Sequence, residues 1–371
     1  MADHPELKSA AARLGLDADE WLVSEPAHNK GLTAGIWELT CGDERIVIKR
    51  LARHRPTGDT AYGQHWSHRA EEPARWNYWA REALAYQSGL TSSFDGVGLR
   101  APRCLGIDLG NDDAVLALEY VDGTPAEHWG VATYADLART LGAAQARFIA
   151  EDSAPRYEWL SRDFVRAYST EKPVRWDLLH SDEAWAQPLV AQNFPDSLRA
   201  AATELHARRD ELYALIIGAP RTLCHLDVWT KNLIRDRHGC FVLLDWAFVG
   251  DGAVGEDIGN LVPDAAFDFF IEPERLPTLR AAVLSAYLEG LRSAGWDGDA
   301  DVVDMAMAAS AVKYDWLTVL LLERASVDEH RRYGGVDIMD SADLYRKRGA
   351  ALLDNAMQAA RALRLHGERT S

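Results

Sequence analysis

Apolar and polar positions change period twice along the chain. Residues 4–15 place apolar side chains at helical spacing and predict a short amphipathic helix. Glu20–Ala27, Ile36–Cys41 and Arg45–Leu51 are then short β-branched or aromatic segments, separated by Asn29-Lys30-Gly31 and Cys41-Gly42-Asp43. They read as three antiparallel strands. Ala52 to His68 is polar and irregular and reads as an exposed loop. Glu71-Glu72-Pro73 supplies helix-start chemistry, and the predicted helix runs to about Ser88 with Gly89 as its cap. Trp76, Trp79, Ala83 and Tyr86 fall at spacings that give it one buried face. Pro102–Asp108 and Ala114–Val121 are two further strands, with Asn111-Asp112-Asp113 as the turn.

Beyond the turn cluster Asp122-Gly123-Thr124-Pro125 the period is helical. Tyr134–Ala150, Tyr157–Ala167, Pro195–Ile217, Arg275–Ala294, Val302–Arg324 and Ser341–Arg364 are the main predicted helices. One β-rich island, Thr222 to Val249, interrupts them. The expected fold class is α+β, with a β-rich lobe over residues 1–121 and a mainly helical lobe over residues 122–371.

Length and composition narrow the class. A chain of 371 residues suits about two domains. With 47% hydrophobic and 26% charged residues, disordered and low-complexity classes are excluded. The net charge of −17 disfavours nucleic acid as a partner. Residues 1–121 carry −5 and residues 122–371 carry −12, a balance that keeps a protein soluble and is compatible with a cationic small substrate. Cys41, Cys104, Cys224 and Cys240 form no C-x-x-C pair and no zinc spacing. The first residues lack an apolar signal-like run, and the apolar run Trp316 to Leu322 is far short of a membrane span. The expectation is a cytoplasmic protein with reduced thiols and no membrane partner.

The candidate chemistry lies in the β-rich island. His225-Leu-Asp227 is followed by Asn232, and Asp245-Trp246 ends a short apolar strand 13 residues after that asparagine. His-x-Asp-x-x-x-x-Asn is the catalytic-loop pattern of kinase-type phosphoryl transfer. An asparagine closing a loop and an aspartate ending a hairpin strand can converge on one Mg²⁺, which prefers oxygen ligands. Asp227 is the candidate that receives a hydroxyl proton, Asn232 and Asp245 are the metal candidates, and His225 holds the loop. Independent support comes from Lys49, at the end of the strand Arg45-Ile-Val-Ile-Lys49, and Glu82 on the following helix. That pair is the one such enzymes use to neutralise the α/β-phosphates.

On these residues the chain resembles the aminoglycoside phosphotransferase family, the small-molecule branch of the protein-kinase-like fold. Lys49, Glu82, His225-x-Asp227-x-x-x-x-Asn232 and Asp245-Trp246 occur in the family's order, and Gly252-Ala-Val-Gly-Glu-Asp257-Ile resembles its Gly-x-x-x-x-Asp-Leu segment. The resemblance covers residues 20–325. It implies two lobes with ATP, or GTP, and Mg²⁺ in the cleft between them. It implies that Asp257 braces the catalytic loop and that Leu118-Glu119-Tyr120-Val121 is the hinge, with Glu119 and Val121 meeting the adenine through their backbone.

The departures are specific. His225-Leu-Asp227 and Asp245-Trp246-Ala247 replace the His-Arg-Asp and Asp-Phe-Gly of protein kinases, and no Ala-Pro-Glu segment follows, so protein substrates are disfavoured. The loop Asn29 to Gly35 has two glycines but no Gly-x-Gly-x-x-Gly; its Thr33 is the candidate phosphate contact. The acceptor candidates are Trp229, Asp264 and Asp268, suited to an amino-sugar or basic antibiotic by stacking and charge-assisted hydrogen bonds. Tyr314 and Trp316 read as core packing. The expected function is ATP-dependent phosphorylation of a hydroxyl on an aminoglycoside-like or other antibiotic, as resistance or self-resistance. A metabolic kinase of a sugar, amino sugar or amino alcohol is the alternative. The expected assembly is a monomer or homodimer. Two rivals are a non-catalytic binding protein on the same fold and a metallohydrolase built on His225, Asp227 and Asp245.

Overall fold

The computed structural model describes residues 4–26, 33–53, 65–149, 154–326 and 340–370. The class is α+β, as expected. The strands are β1 (Leu22–Ser24), β2 (Thr33–Cys41), β3 (Glu44–Ala52), β4 (Leu99–Arg100), β5 (Cys104–Leu109) and β6 (Asp113–Glu119). They continue as β7 (Gly123–Pro125), β8 (Arg221–Cys224), β9 (Leu233–Asp236), β10 (Phe241–Leu243) and β11 (Gly250–Ala253). The chain forms two compact units that are not contiguous in sequence. Unit 1 is residues 1–124, 155–162 and 233–249, and unit 2 is residues 125–154, 163–232 and 250–371. The β-rich island is therefore shared: β9, β10 and Asp245 return to unit 1.

Unit 1 is built on a five-stranded sheet of order β1-β2-β3-β6-β5. Alternation in β2 sends Trp37 and Leu39 inward, and in β3 Ile46 and Ile48. Helix α1 (Pro5–Arg13) covers that face with Leu7, Ala10 and Ala11. Arg13 at its end bonds Asp108 and Asp113, joining it to two strands of the sheet.

The helix expected from Glu71 is shorter. Residues 71–80 are turns, and helix α2 spans Arg81–Gln87, with Gly89 left-handed at φ +76° after it. Carbonyls that a longer helix would use are taken by one side chain. The fully buried Arg81 guanidinium donates to the carbonyls of Pro73, Arg75, Trp76, Trp159 and Ala247. The loop expected at 52–68 is also corrected where it is described: His65 is buried and stacks on Trp76 at 5.0 Å.

Unit 2 is helical around the β8–β11 ladder, which pairs Cys224 with Gly250 and Arg221 with Ala253. Three predicted helices are redrawn, one shifted and two subdivided. Tyr157–Ala167 becomes Phe164–Thr170, because residues 155–162 belong to unit 1. Pro195–Ile217 breaks at Arg208 into Leu198–Ala207 and Arg209–Gly218. Val302–Arg324 is Ala300–Ala309 and Asp315–Arg324 joined by a 3₁₀ turn. The stretch Ala300–Arg324 is long and apolar enough to cross a membrane, yet its most apolar window is wholly buried inside the protein. Helices Val131–Gln145 and Leu276–Ser293 approach at two glycines. A Cβ on Gly290 would lie 1.9 Å from the Arg139 carbonyl oxygen, and one on Gly142 would lie 2.3 Å from that of Tyr287.

Candidate active site

Lys49, Glu82 and Asp245 lie in unit 1; His225, Asp227, Trp229, Asn232, Asp257, Asp264 and Asp268 lie in unit 2.

In unit 1 the expected lysine–glutamate pair forms. Lys49 is 5% exposed and Glu82 is 1% exposed, with Nζ 2.6 Å from Glu82 Oε2 and 3.0 Å from Asp245 Oδ1. Burial disfavours the Lys49 ammonium, but the charges of Asp245 and Glu82 outweigh it and hold its pKa up. Two carboxylates share this one cation. Burial, with the like charge of Asp245, pushes Glu82 up to about 7 against the pull of Lys49. The cluster thus carries an excess negative charge, the condition a divalent cation relieves. Asp245 sits at φ +58°, a left-handed conformation that aspartate tolerates. The Arg81 bond to Ala247 and the Trp246 N–H bond to Glu82 fix the turn that holds it.

In unit 2 the loop is held through its backbone. Asp257 is fully buried; its Oδ2 accepts from His225 N at 2.9 Å and its Oδ1 from Leu226 N at 2.7 Å. Those bonds hold Leu226 at φ +65°, a strained conformation for a bulky side chain. Burial pushes Asp257 up to about 6, opposed by the same hydrogen bonds and by Gln145. His225 is buried and its Nδ1 accepts from Asp227 N at 3.3 Å, a loop-holding geometry. Asn232 Nδ2 donates to Asp227 Oδ2 at 2.7 Å. That bond orients the Asp227 carboxylate and leaves the asparagine its amide oxygen as an acceptor.

The metal candidates fit in chemistry. The Asn232 amide oxygen and the Asp245 carboxylate are hard oxygen donors, and the Lys49 cluster has negative charge to spare. The hydrolase rival fares worse. Among the described residues no group of three or more His, Cys, Asp or Glu could hold a metal.

The other expected residues divide. Thr33 is buried at the start of β2 opposite Leu51, and residues 29–32 of its loop lie outside the described residues. Glu119 ends β6, and its carboxylate is taken by Arg100 and Arg103. Burial raises its pKa, but the arginines win and lower it. Val121 follows the strand. Trp229 Nε1 donates to the buried Asp268, which burial and then the charge of Asp264 push up to about 7. Asp264 is half-buried, and burial raises it against the charge of Lys313. Tyr314 and Trp316 are buried, as expected of core packing.

Residues missed from sequence include Arg81, Gln145 and Tyr287. Tyr287 Oη donates to Gln145 Oε1 at 2.6 Å, and Gln145 Nε2 donates to Asp257 Oδ2 at 2.7 Å. The signal is weak: a glutamine inside an otherwise apolar helical stripe at 137–145 is the one visible irregularity.

The profile of the phosphotransferase enzyme family matches residues 40–300. No curated protein matches the chain. Among solved structures, an amicoumacin kinase in complex with AMP-PNP and Ca²⁺ is similar, at 13% identity and a TM-score of 0.54, covering 95% of this chain and 94% of its own. An aminoglycoside phosphotransferase from Alicyclobacillus acidocaldarius is 15% identical with a TM-score of 0.54, covering 99% and 98%. At such identities the likeness is one of fold, and the fold is kinase-like.

Proposed function

The chain belongs to the phosphotransferase enzyme family, and from that premise we propose that it transfers the γ-phosphoryl group of ATP to a hydroxyl of a small molecule. The observation that carries the reading is the Lys49–Glu82–Asp245 cluster, with its one ammonium between two carboxylates. Lys49, held by Glu82, neutralises the α/β-phosphates. Asp227, oriented by Asn232, accepts the hydroxyl proton as the acceptor oxygen attacks in line. Asn232 and Asp245 are the residues that would hold Mg²⁺, whose charge would offset that of the phosphate oxygens. Asp257 keeps the loop backbone in place.

An aminoglycoside acceptor and a role in antibiotic resistance are the narrower form of this reading. Their support is the −12 carried by residues 122–371 and the presence of Trp229 and Asp268. The engagement of Asp268 by Trp229 weighs against a free anionic site there. A GTP preference is the alternative for the donor. The test is Mg²⁺-dependent nucleotide consumption, with ATP and with GTP, across aminoglycosides, amino sugars, sugars, amino alcohols and hydroxy acids. Consumption stimulated by one acceptor, with phosphate found on its hydroxyl, supports the reading. Failure to bind either nucleotide in the presence of Mg²⁺ sinks it.

A further inference from the structure

The brace Asp257 is the inner end of a longer chain of hydrogen bonds within unit 2. Helices Val131–Gln145 and Leu276–Ser293 meet at glycines, where a Cβ on Gly142 would lie 2.3 Å from the Tyr287 carbonyl oxygen. Gln145 stands one helical turn after Gly142, on the same face, so that close approach brings its amide to the Tyr287 phenol. Tyr287 Oη donates to Gln145 Oε1 at 2.6 Å, and Gln145 Nε2 donates to Asp257 Oδ2 at 2.7 Å. Asp257 in turn accepts from His225 N and Leu226 N. Tyr287, Gln145 and Asp257 are each 0% exposed. The main chain of Gln145 is pinned to the strand that leads into the loop, because Thr222 Oγ1 on β8 donates to its carbonyl at 2.8 Å.

Donor and acceptor roles run one way along this chain. A primary amide has one end that accepts and one that donates. Burial, then the neighbouring Cys224 and Asp257, hold the Tyr287 phenol well above its ordinary range, so it keeps its proton. The phenol therefore takes the Oε1 end of the amide and leaves Nε2 for Asp257. A rotated amide would set Oε1 against the carboxylate and lose both bonds. Asp257 thus receives three buried donors, two of them from the loop backbone immediately before Asp227.

We propose that Gln145 and Tyr287 are positioning residues for the transfer step: Tyr287 sets the amide of Gln145, the amide holds Asp257 on the loop backbone, and the loop so held presents the Asp227 carboxylate. The proposal rests on the phosphotransferase reading and deepens it. Its consequence is a pH dependence. Burial pushes Asp257 up to about 6, and the bonds from His225, Leu226 and Gln145, with the charge of Lys313, pull against burial. Loss of the Gln145 donor moves it further up, since that bond favours the ionised form. A protonated Asp257 is a poorer acceptor for two amides, and the loop slackens. The other groups around it differ. Glu256 accepts from Ala253 N and is pushed up to about 7 by burial, against the charge of Arg221. Burial keeps the Cys224 thiol protonated, and His225 Nδ1 accepts from Asp227 N. None of these bonds involves the Gln145 donor, so its removal singles out Asp257.

The experiment compares wild type, Gln145→Met and Tyr287→Phe between about pH 5 and 9. Hydrogen exchange gives the protection of the 225–227 amides, and ADP release with an acceptor that reacts gives kcat. In Gln145→Met the pH at which protection is half lost, and the acid limb of kcat, should both move up by about one to two units, the worth of one hydrogen bond to a charged group. Tyr287→Phe should move both the same way by less. The KM for ATP should stay unchanged in each. Tyr213→Phe removes a comparably buried phenol, bonded to Ser169, and is the packing control: it should lower the melting temperature and leave both pH profiles in place. Protection and kcat profiles of Gln145→Met and Tyr287→Phe that coincide with the wild type, whatever their melting temperatures, overturn the proposal. So does a uniform loss at every pH, which is the mark of packing alone. If Gln145→Met does not fold, Tyr287→Phe decides. Absence of AMP-PNP binding by calorimetry with Mg²⁺ overturns the phosphotransferase reading, and the exchange profiles still decide whether Gln145 and Tyr287 hold the loop.

Discussion

The candidate residues of unit 1 and those of unit 2 are held by different physics. In unit 1, three ionised side chains hold one another: Lys49 lies within 3.0 Å of both Glu82 and Asp245. In unit 2, the candidate residues are held by directed hydrogen bonds: Asp257 grips the backbone amides of His225 and Leu226, and Asp227 accepts from the Asn232 side-chain amide. A charge cluster stores its order in Coulomb energy and loses it when one charge goes. A backbone-braced loop stores its order in geometry, so a single acceptor on it can change chemistry without moving its neighbours. The first arrangement suits binding of a charged donor, the second suits placement of a proton acceptor.

The most severe way to break this contrast is Asp227→Asn. The amide still accepts from Asn232 but cannot take a proton. Turnover should fall about 10²- to 10⁴-fold, the usual worth of general-base assistance. ATP affinity, measured by calorimetry, should not change. A wild-type kcat on the true acceptor would remove Asp227 from the chemistry, and weakened ATP binding would show that the two sets of residues do not divide the work.

Asp245→Ala attacks the other side. It leaves Lys49 and Glu82 as a one-to-one ion pair and removes the excess negative charge. Mg²⁺-dependent ATP binding should be lost, with calorimetry showing the same weak affinity with and without the metal. Retention of the metal effect would move the role elsewhere; Asp251 is poorly placed to take it, since Arg221 already engages it.

The same contrast explains what sequence could and could not reveal. Lys49, Glu82, Asp227, Asn232 and Asp245 stood out as candidates because each is a charged or amide side chain at the spacing of the kinase-type pattern, and the structure pairs Lys49 with Glu82 and Asp245, and Asn232 with Asp227. The sheet strands were legible because burial alternates along β2 and β3. The helix expected from Glu71 failed because Arg81, distant in effect from local propensity, captures the carbonyls of Pro73, Arg75 and Trp76. Gln145 and Tyr287 were missed because they act through hydrogen bonds spanning 112 and 142 positions of sequence. The division of the β-rich island between two units follows from contacts that no local pattern encodes.

Packing gives a third test. Gly290→Ala would place a Cβ 1.9 Å from a main-chain carbonyl oxygen, whereas Gly35→Ala would meet the Trp37 ring at 2.2 Å. A helix backbone cannot swing aside, so Gly290→Ala should destabilise by about 1–3 kcal/mol, the usual range for overpacking, despite the better helix propensity of alanine. It also disturbs the helix bearing Tyr287, so acceptor turnover should fall more than ATP affinity. Thermal melts and both KM values read this. An unchanged melting temperature would mean that the two helices slide apart freely.

The smallest expected effect compares two carboxyl groups that burial pushes to the same place, Asp268 and Glu82, both up to about 7. Asp268 is raised by burial and then by the charge of Asp264. Its folded pKa lies above its ordinary 3.8. The sign follows: the stability it contributes is fully present below its unfolded pKa and is lost as pH rises through about 7. Asp268→Asn keeps an oxygen for Trp229 Nε1 and removes the titration. The variant should therefore gain on the wild type in melting temperature between pH 4 and 7, by a few degrees at most, and hold a constant lead above that. Glu82→Gln has the opposite consequence. It also removes a titrating carboxyl, but it breaks the 2.6 Å pair with the buried Lys49, so at pH 7.5 it should gain nothing and lose ATP affinity. Melting curves of both variants across that pH range decide the matter. Identical profiles for Asp268→Asn and the wild type would show that Asp268 stays ionised in its place beside Trp229 Nε1.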